Sequence, residues 1–245
     1  EPNVNSGKVI RLKTDLKKPN QEAYQLTVTS EQITIDGASP AGVFYGIQTL
    51  RKSIDVTEPK SLAFPTAVID DAPRFAYRGM HFDVSRHFFT VDFIKQYIDI
   101  LALHNLNKFH WHLTDDQGWR IEIKKYPKLT EIGSKRSDFE GSKRNNEGFY
   151  TQEQIKDLVL YALQRNVQLV PEFDVPGHSD AAIAAYPFLS CNDTLIRVRT
   201  TAGVSKNLLC VGKEEVFTFI DDVITELSTI FPCPYFHNGG DEAPM

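Results

Sequence analysis

The chain of 245 residues has three cysteines, two methionines and two tryptophans, and it carries no excess of positive charge. Cys191, Cys210 and Cys233 are too few for a disulfide framework, and their spacing matches no zinc motif. Buried free thiols are therefore expected, with a single Cys191–Cys210 bridge as the lesser alternative. A net charge of −5 leaves no basic footprint, which argues against a nucleic-acid partner. No stretch approaches the roughly 18 consecutive apolar residues of a membrane span. No glycine-rich phosphate fingerprint follows any strand-like run, which disfavours a nucleotide-binding open sheet. The opening Glu1-Pro2-Asn3 is polar and shows no signal peptide, as a trimmed precursor also would not.

What is present is an ordinary globular composition, 41% hydrophobic, in two patterns. Residues 1–72 read as a small α/β domain. Tyr24 to Thr29 and Gln32 to Asp36 alternate in polarity across the break at Ser30-Glu31, which predicts a hairpin. Pro40 opens a helix whose Val43, Phe44, Ile47, Leu50 and Ile54 follow helical spacing. Asp70-Asp71-Ala72-Pro73-Arg74 marks the expected boundary.

Residues 73–245 alternate between strand and helix. Strands are expected at Met80 to Val84, Lys108 to Thr114, Val167 to Phe173 and, as a fourth, from Tyr235 to Asn238. Helices with Thr90 as a cap, with a Thr151/Gln154 capping box, and with Val216 to Leu227 lie between them. Repeated βα units imply a parallel sheet, and polar residues cluster after each strand: Asp83/Arg86, Asp115/Asp116, Asp174/His178 and Asp241/Glu242. Chemistry at every successive strand end favours a (β/α)8 TIM-type barrel over an open sheet. Only about the first four βα units are present, so half a barrel with exposed edges is expected, and a second copy could cover those edges as a homodimer.

The acidic doublet Asp241-Glu242 follows Gly239-Gly240. Neighbours on a strand point to opposite faces, but a glycine pair permits bends that bring both carboxylates to one pocket in separate roles. A protonated carboxyl donor beside an ionised partner is the division of labour that glycoside hydrolysis uses. An isolated Asp-Glu pair is more often the start of a solvated loop; four acidic strand ends reverse that preference. Arg86 offers a planar fork suited to vicinal sugar hydroxyls, or else a surface pair with Asp83. Trp119 could stack on a sugar ring or close the barrel top. The sharpest rival is a metal-dependent hydrolase using His110, His112, Asp115 and His178. A non-catalytic sugar-binding module is the third reading.

Taken in order, Arg78 to Phe88, His110-Trp111-His112-Leu113-Thr114-Asp115-Asp116-Gln117-Gly118-Trp119-Arg120, Pro171 to His178 and Gly239-Gly240-Asp241-Glu242 closely resemble the β-N-acetylhexosaminidases of glycoside hydrolase family 20. Residues 1–69 resemble the small domain that precedes the barrel there. The resemblance implies retaining hydrolysis of terminal β-linked N-acetylglucosamine or N-acetylgalactosamine, with the substrate's own acetamido group as nucleophile. It implies Glu242 as general acid, Asp241 as the residue gripping the acetamido group, and Arg86 as a hydroxyl binder. It places His178 and Asp115 as the pair supporting Glu242, with Asp174 in the same shell and Asp116 beside them. No metal or cofactor is implied, and the partner is an amino-sugar glycan. The substrate class suggests a periplasmic or secreted setting. Members of the family continue with four more strands, so this chain alone is expected to show little or no turnover.

Overall fold

Alternating polarity on both sides of a three-residue break makes a hairpin. Strand β2 (Tyr24–Val28) pairs antiparallel with β3 (Gln32–Gly37), preceded in the chain by β1 (Val9–Lys13), which lies parallel to β3. Helix α1 (Pro40–Lys52) follows, its first turn capped by the Ser39 hydroxyl accepting from Ala41 N–H, with Pro40 in the first turn where no intrahelical donor is needed. Strand β4 (Ala67–Asp71) completes the sheet order β1-β3-β2-β4. Tyr24, Leu26, Val28 and Ile35 from the sheet meet Val43, Tyr45 and Leu50 of the helix in one apolar core. Strand β1 escapes sequence patterning because all five of its residues are exposed, leaving no buried face to announce it.

The computed structural model describes residues 8–54, 57, 63–136, 146–193 and 195–243. Residues 1–78 and 99–107 gather into one unit, and residues 79–98 and 108–245 into another. The second unit holds a parallel sheet in the order β5 (Gly79–Asp83), β6 (Lys108–His112) and β9 (Gln168–Glu172). Between β5 and β6 runs α2 (Val91–Leu103), whose Phe93 N–H reaches the Thr90 hydroxyl at 3.4 Å. After β6 the chain leaves the sheet: β7 (Thr114–Asp115) and β8 (Gly118–Trp119) form a two-residue antiparallel pair, followed by the short α3 (Lys128–Glu131). Helix α4 (Gln152–Leu163) begins with the full capping box of Thr151 and Gln154. Helices α5 (Asp180–Ala185) and α6 (Glu214–Ser228) come after β9. Val216, Phe219, Val223 and Leu227 form the buried stripe of α6, while Phe217 and Ile224 face outward.

Two expectations are corrected. The fourth strand is reduced to one isolated parallel bridge, Glu172 with His237, supported by backbone hydrogen bonds from Phe173 to His237 and Val175 to Asn238. Pro232 and Pro234 withhold backbone donors before it, and Gly239 and Gly240 turn into the left-handed region after it, leaving little regular strand. Cys191 and Cys210, expected as free thiols, are joined with Cα atoms 4.8 Å apart. Counting cysteines could not reveal that the backbone N–H of Cys210 bonds to the Leu189 carbonyl and brings the two segments together. Cys233 is the free thiol.

Candidate active site

The site is assembled at the C-terminal ends of the parallel strands. Just beyond β5, Asp83 Oδ1 accepts from the backbone N–H groups of Ser85 and Arg86 at 2.8 and 3.0 Å, a local turn that sets Arg86 in place. The Arg86 guanidinium donates through Nη1 to Asp115 Oδ2 at 2.7 Å and Asp83 Oδ2 at 3.1 Å, and through Nε to Gln117 Oε1 at 3.1 Å. Arg136 donates to the carbonyls of Gln117 and Arg86, holding the same turn from behind.

Asp115 is the hub. Its Oδ2 also accepts from His112 Nε2 at 2.8 Å, and its Oδ1 accepts from Asp116 N–H at 2.6 Å and His178 Nδ1 at 3.2 Å. Burial pushes this carboxyl up, but hydrogen bonds from His112 and His178 and the Arg86 charge outweigh it and hold the group down at about 2. His112 sits between two anions: its Nδ1 lies 2.8 Å from Glu172 Oε2. Burial alone would strip its proton, yet Asp115 and Glu172 raise it to about 10. Glu172 also faces His110 at 2.6 Å and His237 at 3.2 Å. Burial opposes its charge, but His110 and His112 keep it well below the usual carboxylate range.

His178 follows the cis Val175–Pro176 bond and has φ +50°, a conformation a non-glycine residue adopts only when its surroundings impose it. Its bond to Asp115 raises it to about 9, more than burial lowers it. That fixes Nδ1–H toward Asp115 and turns Nε2 toward the doublet, 3.5 Å from Glu242 Oε2 and 3.8 Å from Asp241 Oδ2. Nε2 is buried and has no hydrogen-bond partner among the described residues. Gly239 (φ +61°), Gly240 (φ +99°) and Glu242 (φ +47°) provide the bend that presents both acids to one imidazole. Asp174 locks that bend: its Oδ1 accepts from Gly240 N–H at 3.1 Å, and a Cβ on Gly239 would fall 1.7 Å from the same oxygen.

Arg86, Asp115, His178, Asp241 and Glu242 are thus brought into one network, with Asp174 under the doublet. Asp116 accepts from Asp180 N–H at 3.1 Å, and its other oxygen is buried with no hydrogen-bond partner among the described residues. Burial raises both Asp116 and Asp174 to about 6, because one backbone hydrogen bond apiece does not offset desolvation. Trp119 lies elsewhere. It is 2% exposed, its indole N–H donates to the Ile121 carbonyl at 2.6 Å, and its ring meets Phe173 and Phe219. No face remains for stacking on a sugar, because the β7–β8 turn carries the ring into the core.

The metal reading competes with ion pairs already formed: the two nitrogens of His112 face Asp115 Oδ2 and Glu172 Oε2, Arg86 Nη1 lies 3.2 Å from His112 Nε2, and His178 Nδ1 faces Asp115 Oδ1. Among the described residues, five groups of three donors come within 4.8 Å of one another, two of them containing His178 (with Asp115 and Asp116, and with Asp174 and Asp241) and one containing His110 (with Glu172 and His237). Sequence reasoning passed over Glu172, Gln117 and Arg136. Glu172 was readable: it is two residues before Asp174, so strand periodicity puts both on one face, beside His112 in the parallel register.

A parallel βα-repeat unit with acids, a histidine and an arginine converging at its strand ends has the arrangement of α/β proteins that place their sites at the C-terminal face of a parallel sheet. Among them, this chain belongs to glycosyl hydrolase family 20: the family's catalytic-domain model matches residues 75–245, and its domain 2 model matches residues 1–72. A β-hexosaminidase of Porphyromonas gingivalis is 46% identical over 98% of this chain and 31% of its own length. One from Akkermansia muciniphila is 40% identical over 98% of this chain and 49% of its own length. A mutant Streptomyces plicatus β-hexosaminidase, solved in complex with product (GlcNAc), superposes with a TM-score of 0.86 at 41% identity, covering 97% of this chain and 48% of that one. The chain therefore spans about a third to a half of the length of these relatives.

Proposed function

We propose that this chain carries the acid, the acetamide-gripping carboxylate and the hydroxyl-binding arginine of a β-N-acetylhexosaminidase, built on a (β/α)8 barrel whose catalytic part begins at residue 73. The reaction is removal of terminal β-linked N-acetylglucosamine or N-acetylgalactosamine from a glycan, with retention of configuration. The observation that carries this reading is that Arg86 and Glu242 lie at opposite ends of one relay, Arg86–Asp115–His178–Glu242, whose two middle members are buried.

Each member has a step. Glu242 delivers its proton to the glycosidic oxygen as the bond from that oxygen to the anomeric carbon breaks. Asp241 accepts the acetamido N–H, which makes the amide carbonyl oxygen more nucleophilic; that oxygen closes on the anomeric carbon to give an oxazolinium ion. Water then attacks the same carbon, losing its proton to the Glu242 carboxylate, and the ring reopens. His178, still protonated near neutrality, faces a carboxylate that becomes negative as the proton leaves, so its charge favours the transition state over the ground state. Arg86 retains Nη2 for ring hydroxyls. Trp119 supports the fold rather than the ligand.

A setting outside the cytoplasm fits the Cys191–Cys210 bridge, since disulfides persist in oxidising compartments. Among the described residues no helix is long and apolar enough to cross a membrane. The test compares turnover of an aryl N-acetyl-β-glucosaminide with that of the aryl β-glucoside lacking the acetamido group, in a protein that joins this chain to the remaining strands of the family's barrel and in its Glu242→Gln form. Turnover restricted to the acetamido substrate, with Glu242→Gln binding it but turning over less by about a hundredfold or more, is expected. Equal turnover of both substrates, or activity untouched by Glu242→Gln, would refute the reading.

A further inference from the structure

We propose that Gln117 is a positioning residue that couples the loop closed by the Cys191–Cys210 disulfide to the guanidinium of Arg86, so that this loop sets how ring hydroxyls are recognised. The proposal deepens the function above and rests on Arg86 being the hydroxyl-binding residue.

Gln117 is 3% exposed, so both ends of its side-chain amide need partners. Its oxygen accepts from Arg86 Nε at 3.1 Å, and its nitrogen donates to the Thr201 carbonyl at 3.0 Å. Arg86 Nε is a donor only and a carbonyl is an acceptor only, so the amide has one workable orientation. Flipping it would set NH2 against the guanidinium and oxygen against oxygen. The amide is a two-ended strut.

Its far end is fixed by the loop. The Thr201 carbonyl also accepts from Arg199 Nε at 3.1 Å, and Arg199 N–H bonds to the Asp116 carbonyl at 3.2 Å. Further along, Ser205 Oγ and Asn207 Nδ2 donate to Asp180 at 2.9 and 2.8 Å, and Leu209 N–H reaches the Pro176 carbonyl at 2.9 Å. The disulfide closes this segment over a sequence separation of 19, removing open arrangements that a free segment would sample. At the near end, Arg86 spends Nε on Gln117 and Nη1 on Asp83 and Asp115. A planar guanidinium fixed at those two nitrogens has its third aimed in one direction. Displacing Thr201 therefore loosens Gln117 and, through it, the aim of Arg86 Nη2.

The experiment follows hydrogen exchange of the Arg86 Nε–H in the full chain by nitrogen–proton NMR. The indole N–H of Trp119, bonded in the core, serves as the fold control. In Cys191→Ser/Cys210→Ser, Arg86 exchange is expected to speed up on the order of tenfold while Trp119 stays protected. Gln117→Glu keeps an acceptor for Arg86 and removes the donor to Thr201. Adding the double serine change to it should no longer alter Arg86 exchange. Unchanged Arg86 exchange in the double serine variant with Trp119 protected overturns the proposal, as does an undiminished effect in the Gln117→Glu background. If loss of the bond unprotects Trp119 too, Gln117→Leu with the disulfide intact decides: it must speed Arg86 exchange about tenfold, and no change overturns the coupling. Titration with N-acetylglucosamine, read on the backbone amides of Asp241 and Glu242, is scored separately. Its failure would count against the functional reading while leaving the strut between loop and guanidinium intact.

Discussion

Arg78 precedes β5 in the chain and Arg86 follows it, and the two spend their hydrogen bonds differently. Arg78 gives Nη1 and Nη2 to Glu22 at 2.9 and 3.2 Å, Nε to the Asn105 carbonyl at 2.7 Å, and further bonds to the Phe75 carbonyl and the Tyr45 hydroxyl. Every nitrogen is committed within its own unit. Glu22 is correspondingly lowered: burial opposes its charge, but Arg78, Tyr45 and Asn107 outweigh it. Arg86 sits in a network whose valences are left over: its Nη2, the Nε2 of His178 and one oxygen of Asp116 lack partners among the described residues. Unsatisfied buried groups cost stability, so the open Nε2 of His178, facing the doublet, is a place where a ligand group would be gained at little cost.

The comparison breaks first on Glu172. Replacing it with Leu leaves the His112 charge buried beside its remaining partner, and about 3–5 kcal/mol of stability should disappear in urea unfolding. Glu22→Leu, at a partly solvated pair, should cost about 1–2 kcal/mol. A reversed order would mean that the two networks are not different in kind.

Next come the two glycines before the doublet. Gly239→Ala forces a methyl into Asp174 at a left-handed backbone position, and a loss of roughly 2–4 kcal/mol with disordered doublet amides is expected. Gly240→Ala meets only the Val175 carbonyl at 4.0 Å and should cost about 1 kcal/mol. Circular dichroism melts and amide NMR distinguish them. Removing the disulfide by Cys191→Ser/Cys210→Ser should lower stability by about 3 kcal/mol, whereas Cys233→Ser should stay within about 0.5 kcal/mol of the native chain.

A smaller effect than loss of the disulfide is in pH. Asp174 is raised by burial to about 6, so its contribution is fully present below its ordinary 3.8 and is lost as pH rises through 6. Asp174→Asn keeps the acceptor for Gly240 and should gain on the native chain by about 1–2 kcal/mol between pH 4 and pH 7. The Asp115 and His178 pair behaves oppositely at its two ends. What Asp115 contributes is present above 3.8 and lost as pH falls through about 2; what His178 contributes is present below 6.5 and lost as pH rises through about 9. Chemical unfolding across pH 2–10 reads both limbs.

Local signals carried much of the architecture. The hairpin at Ser30-Glu31, the start at Pro40 and the Thr151/Gln154 box each act within a few residues, so their physics is visible in sequence. The strand ends at Asp83, Asp115 and Asp174 were readable because each follows a run carrying apolar residues, whereas the strand expected before Asp241 shrank to one bridge. Failures came where distant segments decide. The cysteine pair depends on the meeting of Leu189 with Cys210, and the facing of Trp119 depends on a two-residue β7–β8 turn that resets strand alternation. Gln117 looked like a loop residue because its acceptor, Thr201, is remote in sequence.

The central claim is that a single amino sugar is held from both ends of the Arg86–Asp115–His178–Glu242 relay. An NMR titration with N-acetylglucosamine, following the Arg86 Nε–H and the His178 imidazole together, tests it most directly. Both signals should saturate along one binding curve, while glucose, lacking the acetamido group, moves Arg86 alone. If N-acetylglucosamine moves neither, or the two signals saturate at different concentrations, the relay does not serve one sugar.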